Sequence, residues 1–387
     1  MAPESLGVLL VEPWLGGSHE AWAAGWMRHS SHDIHLVSLP ADHWQQRMVS
    51  STASLAEQVS RHLEAHGRPD VVVATDMVDL ASLLGLCRRE LAGCVTVLYM
   101  HENQLTQPVS ANGVGDGRGR HLAWTNWRSV LAADSVWFNS RWQLDSMAAA
   151  LPALFDTSPE PAAHLELVAG FLERSCVMAC GCDLARMAAP GREPSLRPDR
   201  SCPVVLWNHR WSNDKGLDRA VKSMATLSRE GVAFDVVVLG SDDHHDPAMG
   251  DALLEPISGR VVHRGHVADR HYPSAVRGCD VVVAAARQEN FGISVVEAVA
   301  AGCVPVVPDA LAFRETVDDP AFRYPEGRLT THLRNVLVDL PTWRQRAGTM
   351  AQAVRRYDWP VMAAEYDDAV GRLVETRGGR SRRTEDR

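Results

Sequence analysis

The stretch RQENFGISVVEAVAAGCVPVV, residues 287–307, places two carboxylates in an otherwise apolar sequence. A β-branched run ends just before it, and the pattern predicts a helix over 294–301 with Asn290 as its cap. Glu289 then follows a strand, and Glu297 lies on the helix. Carboxylates accept hydrogen bonds from hydroxyl groups, so Glu289 is a candidate sugar ligand and Glu297 a candidate ribose ligand. The alternative is that Glu289 only complements the helix dipole and Glu297 is a solvated helix residue.

The residues between the two glutamates predict a turn whose backbone is open to a ligand. A glycine in this turn allows close approach of the main chain, and the N–H groups at a helix start bind anions or sugar oxygens. The candidate contacts to a bound sugar or anion, the donor in a transfer reaction, are therefore Asn290, Phe291, Gly292, Ile293 and Ser294.

Two cations follow an earlier strand of the same half of the chain. The run PVVLWNHR leads into HRWSNDKGLD, which puts Arg210 and Lys215 five residues apart on a loop before a helix. Fixed there, they would neutralise a diphosphate, and the charge that develops as it departs, without a metal ion. An Arg and a Lys on a surface loop are also common, so a purely structural role stays open.

A glycine turn follows the first predicted strand, in VEPWLGGSHE. Gly16 and Gly17 let the backbone approach a phosphate or an acceptor, although a simple strand-to-helix turn also explains them. Ser18 is a candidate helix cap. Ser18 and His19 are candidate contacts to the acceptor, the molecule that would receive a transferred group. A single histidine among 17 is uninformative alone. The turn is not GxGxxG, and no acidic residue ends the second strand, which argues against an NAD-dependent oxidoreductase.

Two further groups of polar residues lie in the first half. The fourth predicted strand ends in YMHENQL. Its residues His101, Glu102 and Asn103 are suited to positioning a hydroxyl group. The alternative is that their side chains only form hydrogen bonds within the fold. Arg118 and Arg120 lie in GDGRGRHLAW, on a Gly-rich loop predicted to be mobile. That loop is either an RNA contact or a lid.

The elements that must position these residues form two α/β domains. Strands nearly free of polar residues alternate with helical patterns in both halves, and the 387-residue length suits two cores. We therefore predict two Rossmann-like domains in tandem facing a central cleft. The predicted ranges are a first domain over 1–188, a linker over 189–202, a second domain over 203–355, a closing helix over 356–374 that crosses back to the first domain, and a disordered tail over 375–387.

Composition narrows the class of protein. The net charge of −9 gives no global attraction to nucleic acid. Apolar runs are too short to span a membrane, and the start lacks a secretory signal, so we expect a cytoplasmic protein. Eight cysteines are scattered, and only CVMACGC is dense. Buried thiols are favoured there over a metal site, because no second ligand pair follows.

Several of these motifs resemble those of one enzyme family. RQENFGISVVEAVAAGCVPVV resembles the E-x7-E signature of retaining GT-B glycosyltransferases of family 4, HRWSNDKG resembles their diphosphate motif, and YDWPVMAAEYDDAV looks like their closing helix. VLLVEPWLGGSHEAWAAGW, LPADHWQQRM, VLYMHENQL, WTNWRSVLAADSVWFNS and LWNHRWSNDKG look like the subgroup that contains the tRNA-queuosine α-mannosyltransferases. The resemblance covers nearly the whole chain.

The resemblance implies a role for each candidate residue. Glu297 would hold the nucleotide ribose, and Glu289 with the amides of 290–294 would hold the donor sugar. Arg210 and Lys215 would hold the diphosphate, which Gly17 would approach, and His101 would lie near the reacting carbon. The base would contact the backbone of Gly265, His266 and Val267.

The subgroup further implies a nucleotide-sugar donor, GDP-mannose, and the cyclopentenediol of queuosine in tRNA as acceptor, with neither cofactor nor metal. The oligomeric state stays open. Two alternatives also remain: a family 4 transferase that acts on a lipid, sugar or small metabolite, and a nucleotide-sugar-binding protein without turnover.

Overall fold

The computed structural model describes residues 5–106, 118–189, 202–240 and 247–385, and the side chains of all these except 118, 247–249 and 378–385. The chain divides into two compact units. One comprises Met1–Gly181 with Trp359–Arg387, and the other comprises Cys182–Asp358.

The first unit is built on a parallel six-stranded sheet. Its strands are β1 (Gly7–Leu15), β2 (Asp33–Pro40), β3 (Val71–Thr75), β4 (Val95–Met100), β5 (Ser135–Phe138) and β6 (Ser175–Val177). Their spatial order is β2-β1-β3-β4-β5-β6. Every residue of β3 and β4 is buried, as expected for central strands covered on both faces. The carboxyl ends of β1, β3 and β4 therefore lie side by side.

Helices complete the first unit. They are α1 (Gly17–His29), α2 (Trp44–Ser50), α3 (Thr52–His66), α4 (Leu80–Leu86), α5 (Arg118–Ala132), α6 (Arg141–Phe155), α7 (Pro161–Glu166) and α8 (Val168–Glu173). One large core includes the buried rings of Trp127, Phe138, Phe155 and Phe171.

The second unit repeats the parallel α/β plan. Its strands are β7 (Val204–Asn208), β8 (Asp235–Leu239), β9 (Val261–Gly265), β10 (Val281–Val283), β11 (Val304–Pro308) and β12 (Arg323–Tyr324), in the order β12-β11-β10-β7-β8-β9. Its helices are α9 (Leu184–Ala188), α10 (Leu217–Arg229), α11 (Pro247–Leu254), α12 (Tyr272–Arg277), α13 (Ile293–Ala300), α14 (Phe313–Thr316), α15 (Leu329–Val338) and α16 (Leu340–Ala353). Short 3-10 turns cover Asn213–Lys215, Glu255–Arg260, Pro320–Phe322 and Val354–Tyr357.

The last helix, α17 (Trp359–Glu385), follows the second unit in sequence but belongs to the first. Tyr366 is fully buried, and its hydroxyl accepts a 3.2 Å hydrogen bond from the indole of Trp22. Asp367 accepts hydrogen bonds from the Trp26 indole at 3.0 Å and from the Ser31 amide at 2.7 Å. α17 is therefore an integral part of the first unit.

The boundaries differ from the prediction at both ends of the second unit. The sequence placed α9 in a first domain over 1–188, but α9 packs on α12 and α13, and the Arg277 guanidinium donates to the Arg186 carbonyl at 3.1 Å. α17 also continues to Glu385, into the range 375–387 where the sequence predicted a disordered tail. Arg377 holds this end to the first unit through the Asp134 carboxylate at 2.7 Å.

Three further expectations concern the linker, the cysteines and membrane-spanning helices. The expected linker over 189–202 lies almost entirely outside the described residues. The eight cysteines are thiols, six of them buried. In the described part of the chain, no helix is long and apolar enough to cross a membrane.

Candidate functional site

A cavity of about 290 Å³ opens in the second unit near the carboxyl ends of β7, β8 and β9. Its lining includes four residues that the sequence singled out, Arg210, His266, Val267 and Glu297. The other lining residues are Arg186, Asn208, His209, Leu239, Gly240, Asp269 and Tyr272. Gly265, also singled out, ends β9 just before His266. Parallel sheets bind ligands at this edge.

Glu297 lies on the second turn of α13 and lines the cavity. The Tyr272 hydroxyl donates to its carboxylate at 2.9 Å, and the Arg186 guanidinium lies 3.9 Å away. Only 13% of the side chain is exposed. Burial raises its pKa to about 7, although Tyr272 and Arg186 oppose the shift. The carboxylate and its neutral acid are therefore both populated near neutral pH.

Lys215 and Glu289 form a nearly buried ion pair. Their Nζ and Oε2 atoms are 3.0 Å apart, and the side chains are 14% and 12% exposed. Asp214 adds a second carboxylate oxygen 3.4 Å from the same Nζ. Burial alone would raise the pKa of Glu289, but the Lys215 charge lowers it below its ordinary value. Burial likewise opposes the Lys215 charge, and the two carboxylates raise its pKa. Both groups are thus held in their charged forms.

The end of β7 connects this ion pair to the start of α13. His209 Nδ1 lies 3.0 Å from the Ser294 hydroxyl, and the Asn208 amide donates to the Ser294 carbonyl at 3.0 Å. Burial lowers the pKa of His209 to about 4, so the ring is neutral. Its buried Nε2 atom has no hydrogen-bond partner in the described parts of the chain, and His209 is one of the residues that line the cavity.

The start of α13 differs from the prediction. The helix begins at Ile293, and its N-cap is Gly292 with a φ of 90°, without a capping side chain. Asn290, predicted as the cap, instead accepts a 3.1 Å hydrogen bond from Gln288. Phe291 is buried and packs edge-on against Tyr357, with ring centroids 5.1 Å apart. A glycine supplies the left-handed turn that no capping side chain could have provided here.

The first unit gathers a second polar cluster at the ends of β1, β3 and β4. His19 Nδ1 lies 2.8 Å from the Glu12 carboxylate, and the His19 and His101 ring centroids are 4.1 Å apart. Asp76 accepts a 2.8 Å hydrogen bond from the His101 amide. All four residues are buried, and Glu102 lies beside them, half-buried.

Charge in this cluster concentrates on His19. Burial favours the neutral ring, but Glu12, assisted by Asp76 and Glu102, raises the pKa of His19 to about 9. Burial together with the His19 charge lowers the pKa of His101 well below its ordinary value. Burial raises the pKa of Asp76 to about 8 against the opposing His19 charge. The cluster therefore combines a cationic and a neutral imidazole, which together donate to and accept from hydroxyl groups.

Other predicted contacts of the first unit lie around this cluster. The Asn103 side chain accepts from the Thr106 amide at 3.0 Å and is fully buried. Gly17 opens α1 with a φ of 54°, and Gly16 is its N-cap. Ser18 is exposed and does not cap the helix, contrary to prediction.

The arginines expected on the Gly-rich loop lie on a helix. Arg118 and Arg120 belong to the first turn of α5, and Arg120 is exposed. Residues 107–117 lie outside the described part of the chain. The prediction of an RNA contact or a lid therefore stays a prediction.

The sequence did not predict several residues of the cavity and of the polar cluster, among them Glu12, Asp76, Tyr272 and Arg186. Glu12 lies within β1, and Asp76 directly follows β3. The end of a predicted strand was the available signal for Asp76, and a carboxylate inside an apolar strand was the signal for Glu12. Tyr272 and Arg186 come from α12 and α9, and no pattern in the sequence places them beside Glu297.

Comparisons with known proteins agree with this architecture. Residues 7–182 match the family model described as tRNA-queuosine alpha-mannosyltransferase N-terminal, and residues 193–328 match that described as glycosyl transferases group 1. The chain is 28% identical over 336 residues to the tRNA-queuosine alpha-mannosyltransferase of Drosophila melanogaster, covering 85% of this chain and 86% of that protein.

Two further similarities involve more distant proteins. A GDP-mannose-dependent alpha-mannosyltransferase of Mycobacterium tuberculosis is 27% identical over 231 residues, or 58% of this chain and 57% of that protein. The structure of sucrose-phosphate synthase from Thermosynechococcus elongatus superposes with a TM-score of 0.71 at 14% identity, covering 96% of this chain and 100% of that chain.

Two parallel α/β units, a strand-end cavity lined by Glu297 and the matched models together define a GT-B glycosyltransferase. Within that class, the chain is similar to the tRNA-queuosine α-mannosyltransferases, whose N-terminal model covers most of the first unit.

Proposed function

We propose that the chain transfers mannose from GDP-mannose, with retention of configuration, to the cyclopentenediol of queuosine in tRNA. The assignment of the acceptor rests on the similarity to the Drosophila tRNA-queuosine alpha-mannosyltransferase, which extends over 85% of the chain. The first unit also matches the N-terminal model of that family. The name of the mycobacterial GDP-mannose-dependent relative supports the donor.

The cavity of the second unit supports the donor half of the proposal. Glu297 binds the ribose diol through its buried carboxylate, and the backbone at His266 and Val267 contacts the base. Arg210 is exposed at the cavity wall, where it binds the diphosphate. Glu289, oriented by Lys215, accepts hydrogen bonds from the sugar hydroxyls.

The proposed chemistry is displacement on the leaving-group side. The bond between the anomeric carbon and the diphosphate oxygen breaks, and the acceptor oxygen bonds to the same face of that carbon. The acceptor proton passes to a departing phosphate oxygen. Arg210 and Lys215 stabilise the negative charge that develops on the diphosphate, so the reaction needs no metal ion. Lys215 keeps Glu289 paired and ionised, which makes Glu289 unsuited to donating a proton.

The cluster of the first unit serves the acceptor. Hydroxyl groups of the cyclopentenediol offer both donors and acceptors, and the cationic His19 and neutral His101 match them in kind. His101 stays neutral because burial and the His19 charge lower its pKa, so it accepts a hydroxyl hydrogen bond. In this proposal, the predicted contacts Ser18 and Glu102 border the bound acceptor.

The test is an incubation of the protein with a panel of nucleotide sugars. Each donor is combined with queuosine-containing tRNA or with tRNA that lacks queuosine, and the nucleosides are analysed by mass. We expect a hexose gain from GDP-mannose on the queuosine nucleoside alone.

Each other outcome identifies which part of the proposal fails. Equal hexose gain on both tRNAs, or on neither, contradicts the queuosine acceptor. Transfer to queuosine from another nucleotide sugar contradicts only the donor.

A further inference from the structure

Three histidines meet on the surface of the first unit, away from its polar cluster. His62 and His66 are four residues apart on α3, and His35 lies on the adjacent edge strand β2. The ring centroids of His62 and His66 are 4.3 Å apart, and that of His35 is 4.7 and 4.8 Å from them. The proposed transfer reaction does not use these residues.

The spacing of the three rings suits a transition-metal ion. One nitrogen from each ring can be chosen so that all three lie within 4.8 Å of one another. Tetrahedral Zn²⁺ with bonds of about 2.0 Å requires nitrogens about 3.4 Å apart. Rotation of partly exposed side chains covers the remaining distance, since His35 and His62 are half-buried and His66 is exposed.

Neighbouring acceptors already orient two of the rings. His66 Nδ1 lies 3.1 Å from the His62 carbonyl, so a proton on Nδ1 leaves the Nε2 lone pair for a metal. His35 Nε2 lies 3.3 Å from the Asp33 carboxylate, which leaves Nδ1 as its ligand atom. Such carboxylate and carbonyl partners fix the tautomer of metal-binding histidines in known sites.

The surroundings of His62 favour the neutral form of its ring. Burial, followed by the charges of His66 and His35, lowers the pKa of His62, although Asp33 opposes the shift. Metal ions bind the neutral form of imidazole.

The described residues contain one other group with metal-ligand spacing, formed by Glu12, His19 and His101. There burial opposes the charge of His19, but the Glu12 carboxylate raises its pKa to about 9, which keeps the ring protonated. A metal ion would have to displace that proton and break the 2.8 Å ion pair. At the surface histidines no buried ion pair has to be broken, because the Asp33 carboxylate beside His35 is exposed.

We propose that His35, His62 and His66 bind a divalent transition-metal ion, which links α3 to the edge strand β2. Zn²⁺ is the ion used to test the proposal. The metal is structural and lies outside the proposed transfer chemistry. Imidazole ligands suit Zn²⁺ and Cu²⁺ and disfavour Mg²⁺ and Ca²⁺.

The test uses the full chain without a purification tag, stripped of metal with a chelator. Titration calorimetry with Zn²⁺ should show one equivalent bound, and Zn²⁺ should raise the melting temperature. The double variant His62→Gln/His66→Gln should weaken binding at least a hundredfold, and Asp33→Asn should weaken it about tenfold. The matched control His29→Gln, an exposed histidine on α1, should bind as wild type does.

Three results would overturn the site. The first is wild-type protein that shows no saturable Zn²⁺ binding. The second is a double variant that binds as tightly as wild type while its melting temperature without metal is unchanged. The third is loss of binding in Glu12→Gln but not in the double variant, which would place the ion in the buried group. Mg²⁺ in place of Zn²⁺ should give neither heat nor a melting shift.

Discussion

At the scale of single residues, the ion pair of Lys215 and Glu289 sets the charge of the proposed donor site. The chain has only two lysines, Lys215 and Lys222, and uses arginine for its other cations. Lys215 is nearly buried, whereas Lys222 is exposed on α10. A compact ammonium group that is already paired with a carboxylate can turn toward a departing phosphate without leaving the site.

Lys215→Ala should lower kcat by about 100-fold or more and weaken donor binding by less than about tenfold, because the charge it opposes develops only in the transition state. Steady-state kinetics and donor titration measure the two effects separately. Lys222→Ala is the matched control and should leave both unchanged. Equal losses of kcat and donor affinity would show that Lys215 acts in the ground state.

Glu297 predicts a pH dependence of donor binding. Its pKa is raised to about 7 by burial, and only the carboxylate accepts two hydrogen bonds from a ribose diol. Below this pKa the binding-competent fraction falls, so the donor dissociation constant should rise about tenfold between pH 8 and pH 6. Calorimetric titrations of the donor over this range provide the measurement, with Glu297→Gln as the variant. If Glu297→Gln keeps the same dependence, another group is responsible.

The sequence indicated some of these residues because the signal lies along the chain. Glu289 and Glu297 flank a helix start, and the helix forms nearly where its pattern predicted. Glu12 and Asp76 were missed because their importance depends on neighbouring strands. Only the spatial order β1-β3-β4 brings them to His101, and strand order is not encoded in any local pattern.

At the scale of elements, the connection from β7 to α10 positions the proposed phosphate-binding cations. Gly216 follows Lys215, has a φ of 72° and caps α10. A Cβ atom there would lie 2.1 Å from the Ala285 carbonyl oxygen, which belongs to rigid backbone after β10. The turn thus packs directly on the segment that leads to Glu289.

Gly216→Ala should destabilise the protein by about 3 kcal/mol or more, since it combines a left-handed backbone with a clash. Gly231→Ala is the matched control, because Gly231 has a φ of 79° but open space around its Cβ position. That change should cost only about 1–2 kcal/mol. Urea unfolding of both variants gives the comparison. Similar losses for the two would mean that the Ala285 contact relaxes without cost.

Helix caps were the least predictable elements. Asn290 and Ser18 were expected to cap α13 and α1, yet glycines occupy both N-cap positions. A capping side chain is only one way to start a helix. Gly292 has a φ of 90°, which residues with a side chain rarely adopt. Gly16 is extended, but a Cβ atom there would lie 2.4 Å from the Cβ atom of Ala41. Helix propensity alone reveals neither constraint.

At the scale of the whole molecule, the first unit is assembled from two separate parts of the chain. α17 covers α1 and β4, and its Tyr366 lies among Trp22, Trp26 and Tyr99. The sequence predicted a helix that crosses back to the first domain. It did not predict how far α17 runs, because Arg377 is held by a tertiary contact with Asp134 and not by an apolar face.

A fragment of residues 1–181 should therefore fail to form a stable native unit. Each large ring left uncovered costs about 2–3 kcal/mol, and domain stability is only about 5–15 kcal/mol. Joining residues 359–387 to this fragment through a flexible linker should restore a cooperative melting transition. Near-ultraviolet circular dichroism and thermal unfolding measure both. A fragment of 1–181 that melts as sharply as the joined protein would contradict the role of α17.

The position of α17 has a consequence for the protein during its synthesis. Residues 182–358 form a continuous unit, which can finish folding as soon as they leave the ribosome. The earlier residues must wait for α17, on the order of 10 s at ordinary elongation rates. Throughout that interval α17 does not cover Trp22 and Trp26. The part of the protein that is made first is therefore the last to become native, and its exposed rings are available to a chaperone for the longest time.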